Sequence, residues 1–159
     1  MASYLCDTNL LLRMVDAASV HHRMAVDSLA ALLRGRHDAF ITAQNLIEFW
    51  AVATRPVEAN GLGWNRGRTS AEVAALRQRF PFLPDSPDIL GRWLTLVETF
   101  PVTGKRVHDA RLVAVLQAHG VEHLVTFNVG DFTAFTGVSI IHPATLLLAG
   151  APLFPPQGG

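Results

Sequence analysis

Charge is scarce in this chain. Asp, Glu, Lys and Arg make up 16% of its 159 residues and hydrophobic residues 50%, where ordinary soluble domains carry about 25% charged residues. That balance excludes intrinsic disorder over most of the length. Thirteen basic residues face 13 acidic ones, a formal net charge of zero, so the long-range steering of a strongly basic nucleic-acid binder is missing. Any contact with nucleic acid has to be local. There is one cysteine, Cys6, and so no internal disulfide. Lying in an apolar run, it reads as a small core residue and fits a reducing cytoplasm. One Cys and seven scattered His give no paired-cysteine framework, so zinc is not expected. No apolar run approaches the roughly 18 residues of a membrane span; Ala144 to Leu148 is far too short. The start, Met1 to Asp7, has neither the basic region nor the long apolar stretch of a signal peptide. What remains is one apolar domain, able to bury roughly 70% of its unfolded surface without staples.

The apolar spacing predicts a buried strand at Ser3 to Cys6 that ends abruptly at Asp7 and feeds a helix from Asn9 to about Val15. Further helices are expected over Val20 to Leu33 and Gln44 to Thr54, separated by a strand at Ala39 to Thr42. Pro56 to Arg68, with Asn60-Gly61, Gly63 and Gly67 around Trp64, reads as a loop or arm. Thr69-Ser70-Ala71-Glu72 has the capping-box pattern for a helix to about Phe80, and Ser86-Pro87 opens one to about Thr99. A helix over Val107 to His119 stops at Gly120, and His123 to Phe127 and Val138 to Ile141 read as two more buried strands. The alternation is that of an α/β domain with a mostly parallel sheet. Residues 1–149 form the domain, and the Pro- and Gly-rich stretch from Gly150 to Gly159 reads as a frayed tail.

In such sheets ligands sit beyond the carboxyl ends of the strands, and carboxylates are few enough to ask which fall there. Asp7 ends the first strand, and Asp131 follows the strand at His123 after a short turn. Turn and cap chemistry also explains either one alone. Asp109 stands three, four and seven residues before Leu112, Val113 and Leu116, at the head of a core-facing stripe. Complementing the helix N-terminus is the plainer reason for it, worth about 0.3–1 kcal/mol. Glu48 interrupts a dense apolar helix, or else shares a solvated face with Gln44 and Arg55. Convergence of all four would crowd repelling charges into an oxygen-only site that calls for a hard cation, Mg²⁺ or Mn²⁺. Such a site hydrolyses phosphodiesters with no His or Ser nucleophile.

Asp7-Thr8-Asn9-Leu10-Leu11, Asn45-Leu46-Ile47-Glu48-Phe49, His108-Asp109-Ala110-Arg111-Leu112-Val113-Ala114 and Leu124-Val125-Thr126-Phe127-Asn128-Val129-Gly130-Asp131-Phe132 together resemble the PIN-domain ribonucleases, and among them the VapC-type toxins of prokaryotic toxin–antitoxin pairs. The likeness runs from about Tyr4 to about Ile141. It implies a PIN-like three-layer α/β/α sandwich with a short, mostly parallel central sheet, and metal-dependent endonucleolytic cleavage of RNA. Asp7, Glu48, Asp109 and Asp131 match the family's acidic quartet; Thr8, Asn9 and Asn128 match polar residues that hold ligands or phosphates in many members. Phe127 departs from the family, where a polar or basic residue is frequent.

Arg55, Arg66 and Arg68 bracket the Gly-rich loop and Lys105-Arg106 precede Asp109. They are candidate phosphate contacts, with Trp64 a candidate for base stacking. His21-His22 and His108 offer a metal-independent, His-based alternative; a neighbour of Asp109 in sequence, His108 points about 100° away on a helix. A haloacid-type phosphatase would want an acid where Asn9 stands, and a receiver domain would want paired acids at the first strand. Two other readings stay open: a stand-alone RNA-processing nuclease and a non-catalytic scaffold binding RNA or protein. The apolar excess predicts a homodimer, and the resemblance adds an antitoxin segment across the helices near Trp50 to Trp64.

Overall fold

In the computed structural model, residues 1–150 are described, so the expected tail, apart from Gly150, lies outside the described residues. Five strands form one sheet: β1 (Ser3–Cys6), β2 (Asp38–Thr42), β3 (Phe82–Leu83), β4 (His123–Val125) and β5 (Ser139–Ile141). Their order is β3-β2-β1-β4-β5, and every pairing is parallel. Seven helices accompany them among the described residues: α1 (Thr8–Val15), α2 (His22–Arg34), α3 (Ala43–Thr54), α4 (Arg66–Arg79), α5 (Ile89–Thr99), α6 (Arg106–Ala118) and α7 (Pro143–Gly150).

The inner residues of the central strands, Tyr4 to Cys6, Ala39 to Ile41 and Leu124 to Val125, are apolar on both faces because both faces are covered. Tyr4 and Cys6 of β1 and Val125 of β4 join Leu10, Leu29, Phe49 and Leu76 in one layer of core, under α1 to α4. Leu5 and Leu124, one residue out of phase, join Leu96, Val113 and Phe132 in the other, under α5 and α6. A strand period of two thus splits the core into two layers and gives the expected α/β/α sandwich. The chain reverses direction across the sheet between β1 and β4, which pair with Cys6 opposite Val125. The crevice at a parallel sheet's carboxyl edge opens at this kind of switch point.

Several expected boundaries need correcting. α4 begins at Arg66, capped by Asn65, whose Oδ1 accepts from the Arg68 amide at 2.8 Å. Thr69 is therefore inside the helix, buried, donating to the Asn65 carbonyl at 2.9 Å. α5 begins at Ile89 rather than Pro87, because Ser86 to Asp88 turn first and the Ile89 amide reaches the Ser86 carbonyl at 3.2 Å. β3 is too short for any periodicity. α7 opens with Pro143 as its first residue and buries Leu146. Pro56 to Asn65 is not an arm: amides of Leu62, Gly63 and Trp64 bond to carbonyls of Val52, Arg55 and Ala53 at 2.8–3.0 Å, and the loop lies back along α3. Gly61 permits this, since a Cβ there would stand 2.0 Å from the Arg55 carbonyl oxygen. His119 and His123, four apart, straddle the Gly120 turn and bond separately to the Pro84 carbonyl and the Ser139 hydroxyl.

Candidate functional site

Each of the four acids is delivered by a different element. The ladder between β1 and β4 continues one step through the Asp7 amide to the Val125 carbonyl, 2.9 Å, which sets Asp7 at the sheet edge. Its Oδ1 accepts from the Thr8 amide at 2.7 Å and so caps α1; capping and site geometry coexist. Its Oδ2 accepts from the hydroxyl of Thr126 at 2.7 Å and from Asn9 Nδ2 at 3.2 Å. Asp131 lies in a 3₁₀ turn, Val129–Phe132, nailed down by the buried ring of Phe132. Asp109 occupies the first turn of α6, half-buried, with Leu112, Val113 and Leu116 of its stripe all buried. Glu48 is no solvated face residue. Thr8 Oγ1 donates to its Oε2 at 2.7 Å and Gln44 Nε2 to its Oε1 at 2.8 Å.

All four line a single cavity of about 520 Å³, together with Thr8, Asn9, Asn128, Arg55 and Lys105. Burial first, then the neighbouring Glu48 and Asp131 charges, push the Asp7 carboxyl up to about 6, against the pull of Thr126 and Thr8. Asp109 is also pushed up to about 6, by burial and by Asp7 and Asp131. Crowding thus disfavours the charged forms of Asp7 and Asp109 in particular.

Thr8 and Asn9 are engaged in building the site. Thr8 is buried, and Asn9 ties the end of β1 to β4: its Nδ2 reaches Thr126 Oγ1 at 3.1 Å and its Oδ1 accepts from the Phe127 amide at 3.2 Å. Asn128, Arg55 and Lys105 are exposed on the rim. Arg106 turns inward instead, its Nη1 3.7 Å from Asp109 Oδ2 and in direct contact with Asp131 Oδ1. Arg66 and Arg68 are exposed and stand off the cavity lining. Arg68 covers the part-buried Trp64 ring at 4.0 Å from its centroid, and Trp64 and Phe49 meet in a T-shaped contact. Phe127 packs under Arg13, 4.3 Å from its centroid, between His21 and His142. His108 is exposed and lines the neighbouring hollows with Arg111 rather than the acid cavity.

Three residues with no assigned role in the sequence hold this arrangement. Thr126, fully buried, accepts from the Asn128 amide at 3.0 Å while donating to Asp7. Asn45, also fully buried, closes a capping box with Thr42 and donates to the Cys6 carbonyl at 3.0 Å and to Thr8 Oγ1 at 3.2 Å. Gln44 joins Glu48 to the His108 carbonyl at 2.7 Å and accepts from Arg111 at 3.2 Å, linking α3 to α6. The signal for Thr126 was a polar residue ending an apolar strand, as at Asp7; for Asn45 it was the Thr-x-x-Asn spacing. Cys6 is fully buried, and burial and Asp7 push its thiol up to about 12, so it is no nucleophile.

Among the described residues, no three His, Cys, Asp or Glu side chains stand close enough to grip a metal ion as placed. The donors are nevertheless oxygen only and mutually repelling, and a guanidinium lies between two of them. That chemistry fits a hard divalent cation taking the guanidinium's place.

A parallel α/β/α sandwich with acids gathered at the β1–β4 switch point defines the class, and residues 4–135 match the PIN domain family. The chain belongs to that family. It is 30% identical over 151 residues to Ribonuclease VapC24 of Mycobacterium tuberculosis, covering 87% of this chain and 95% of the relative. Its fold matches VapBC2 of Rickettsia felis bound to a promoter DNA fragment, with TM-score 0.69, 13% identity, and 88% and 98% of the two chains covered. VapBC-1 of nontypeable Haemophilus influenzae matches with TM-score 0.67, 16% identity, and 89% and 98% covered.

Proposed function

We propose that this protein is a divalent-metal-dependent endoribonuclease and the toxin of a toxin–antitoxin pair. The observation that carries the reading is the convergence of Asp7, Glu48, Asp109 and Asp131, from four separate elements, on one cavity at the carboxyl edge of the sheet. The ribonuclease relative and the toxin–antitoxin complexes among the fold neighbours support the same class.

These four acids would hold Mg²⁺ or Mn²⁺, which supplies Lewis acidity and lowers the pKa of water at the scissile phosphate. The protein's own contribution is preorganisation. Thr126 and the Thr8 amide fix both oxygens of Asp7, and Thr8 and Gln44 fix both of Glu48. The exposed Arg55, Lys105 and Asn128 draw the RNA backbone to the rim by charge and hydrogen bonding. Arg66 and Arg68 extend that basic track beyond it. The cognate antitoxin lies across the helices near Trp50 to Trp64, where Trp50 is 37% and Val57 66% exposed, and a homodimer covers more of the exposed apolar surface. No helix among the described residues is long and apolar enough to cross a membrane, and a cytoplasmic setting agrees with the single free cysteine.

The test is cleavage of a labelled RNA by purified protein. Activity is expected to vanish in EDTA and return with excess Mn²⁺ or Mg²⁺, and co-expression of a small protein encoded beside it should yield a stable, inactive complex. Cleavage that persists in EDTA would return the mechanism to a His-based enzyme.

A further inference from the structure

The four acids are not neutralised alike. Asp7 and Glu48 accept hydrogen bonds from neutral donors, a backbone amide, two threonine hydroxyls and two side-chain amides. Asp109 and Asp131 face a cation, Arg106. Guanidinium groups ordinarily bind carboxylates through aligned N–H forks. Here the Nη1 that lies between the two acids is buried and makes no directed hydrogen bond. Its contacts are the two ion pairs, and they bridge α6 and the Asp131 turn. Nor does the helix call for it: Arg106 is the first residue of α6, where a positive charge opposes the helix dipole. Its spacing of three from Asp109 sets both side chains on one face.

We propose that Arg106 is the resident cation of this site when no divalent ion is bound, holding Asp109 and Asp131 together, and that it must leave those two carboxylates for the ion to enter. The proposal rests on the metal-nuclease reading. Lys105 is exposed on the rim of the same cavity, where Arg106 is the residue paired with Asp109 and Asp131, and Arg111 is committed to Asp85 and Gln44. Arg106 pairs with neither Asp7 nor Glu48, so the competition is confined to one half of the quartet. Two cations competing for the same ligands weaken each other reciprocally.

The experiment is a Mn²⁺ titration of the RNA-free protein followed by thermal unfolding, for wild type, Arg106→Gln and Arg106→Lys. Arg106→Gln is expected to unfold at lower temperature in EDTA and to reach half-saturation at a Mn²⁺ concentration about fivefold lower or more, with Arg106→Lys between. On wild type, the Arg106 side-chain N–H resonance should shift during a Mg²⁺ titration; this measurement decides the matter even if the Gln variant fails to fold. Equal half-saturation in all three proteins, or an unmoved Arg106 resonance in a wild type that binds Mg²⁺, overturns the proposal and leaves the metal reading standing. Mn²⁺ that stabilises none of them overturns both.

Discussion

Asp109 shows how a single residue separates a structural role from a chemical one. Its carboxylate stands in the first turn of α6, where a negative charge contributes about 0.3–1 kcal/mol to the helix. Against that, burial and the charges of Asp7 and Asp131 hold its pKa up at about 6, so at neutral pH the ionised group is a net burden on the metal-free fold. Asp109→Asn keeps the shape and removes the charge. RNA cleavage is expected to fall by orders of magnitude while metal-free stability rises by about 1 kcal/mol, read as a higher urea midpoint in EDTA. A merely capping carboxylate would give the opposite pair: stability lost and cleavage retained. The acids were legible at this scale because carboxylates in an apolar chain have few reasons to sit at strand ends or on core stripes. Thr126 and Asn45 were not, because hydroxyls and amides are common in turns and caps, and their roles exist only once β1, β4 and α3 are brought together.

Long apolar periods announced α2, α3 and α6 and the buried runs of β1, β2 and β4, whereas element starts depended on which of several polar residues won the cap. At α4 the Thr69-x-x-Glu72 pattern lost to Asn65, because starting a turn earlier buries Thr69 and lets the loop fold back on α3. The capping box that does form, Thr42 with Asn45, doubles as the anchor of the site. At β3 the strand is two residues long, and pairing with β2 rather than any local preference makes it. The fold-back loop is the most sharply specified of these features. A Cβ at Gly61 would overlap the Arg55 carbonyl, so Gly61→Ala should cost about 1–3 kcal/mol by forced displacement and loosen Arg55 at the cavity rim. Gly91, exposed in α5 with nothing within 4 Å of its would-be Cβ, is the matched control: Gly91→Ala should stabilise by about 0.4–1 kcal/mol. Urea midpoints for the pair check both signs, and equal effects would mean that the loop tolerates rearrangement.

At the scale of the whole molecule, the fold holds a charge-poor domain around a focus of crowded charge, and pH and metal should act on its stability in opposite senses. Asp7 and Asp109 are both raised from 3.8 to about 6, so between those values the folded chain binds more protons than the unfolded one. Stability then falls as pH rises: this contribution is fully present below about pH 4 and gone above about pH 6. Asp88, drawn down to about 2 by Ser86 and Arg92, acts only below that window and does not mask it. A bound divalent cation reverses the sign, because it needs the carboxylates ionised and competes with protons for them. Melting temperature in EDTA is expected to decline from pH 4 to pH 6.5, while with saturating Mn²⁺ the decline is cancelled or inverted. The gap between the two curves should open through this window and level off above it. Parallel curves would mean that the two raised carboxylates are not where the ion binds, and that the crowding at the β1–β4 edge has some other cause.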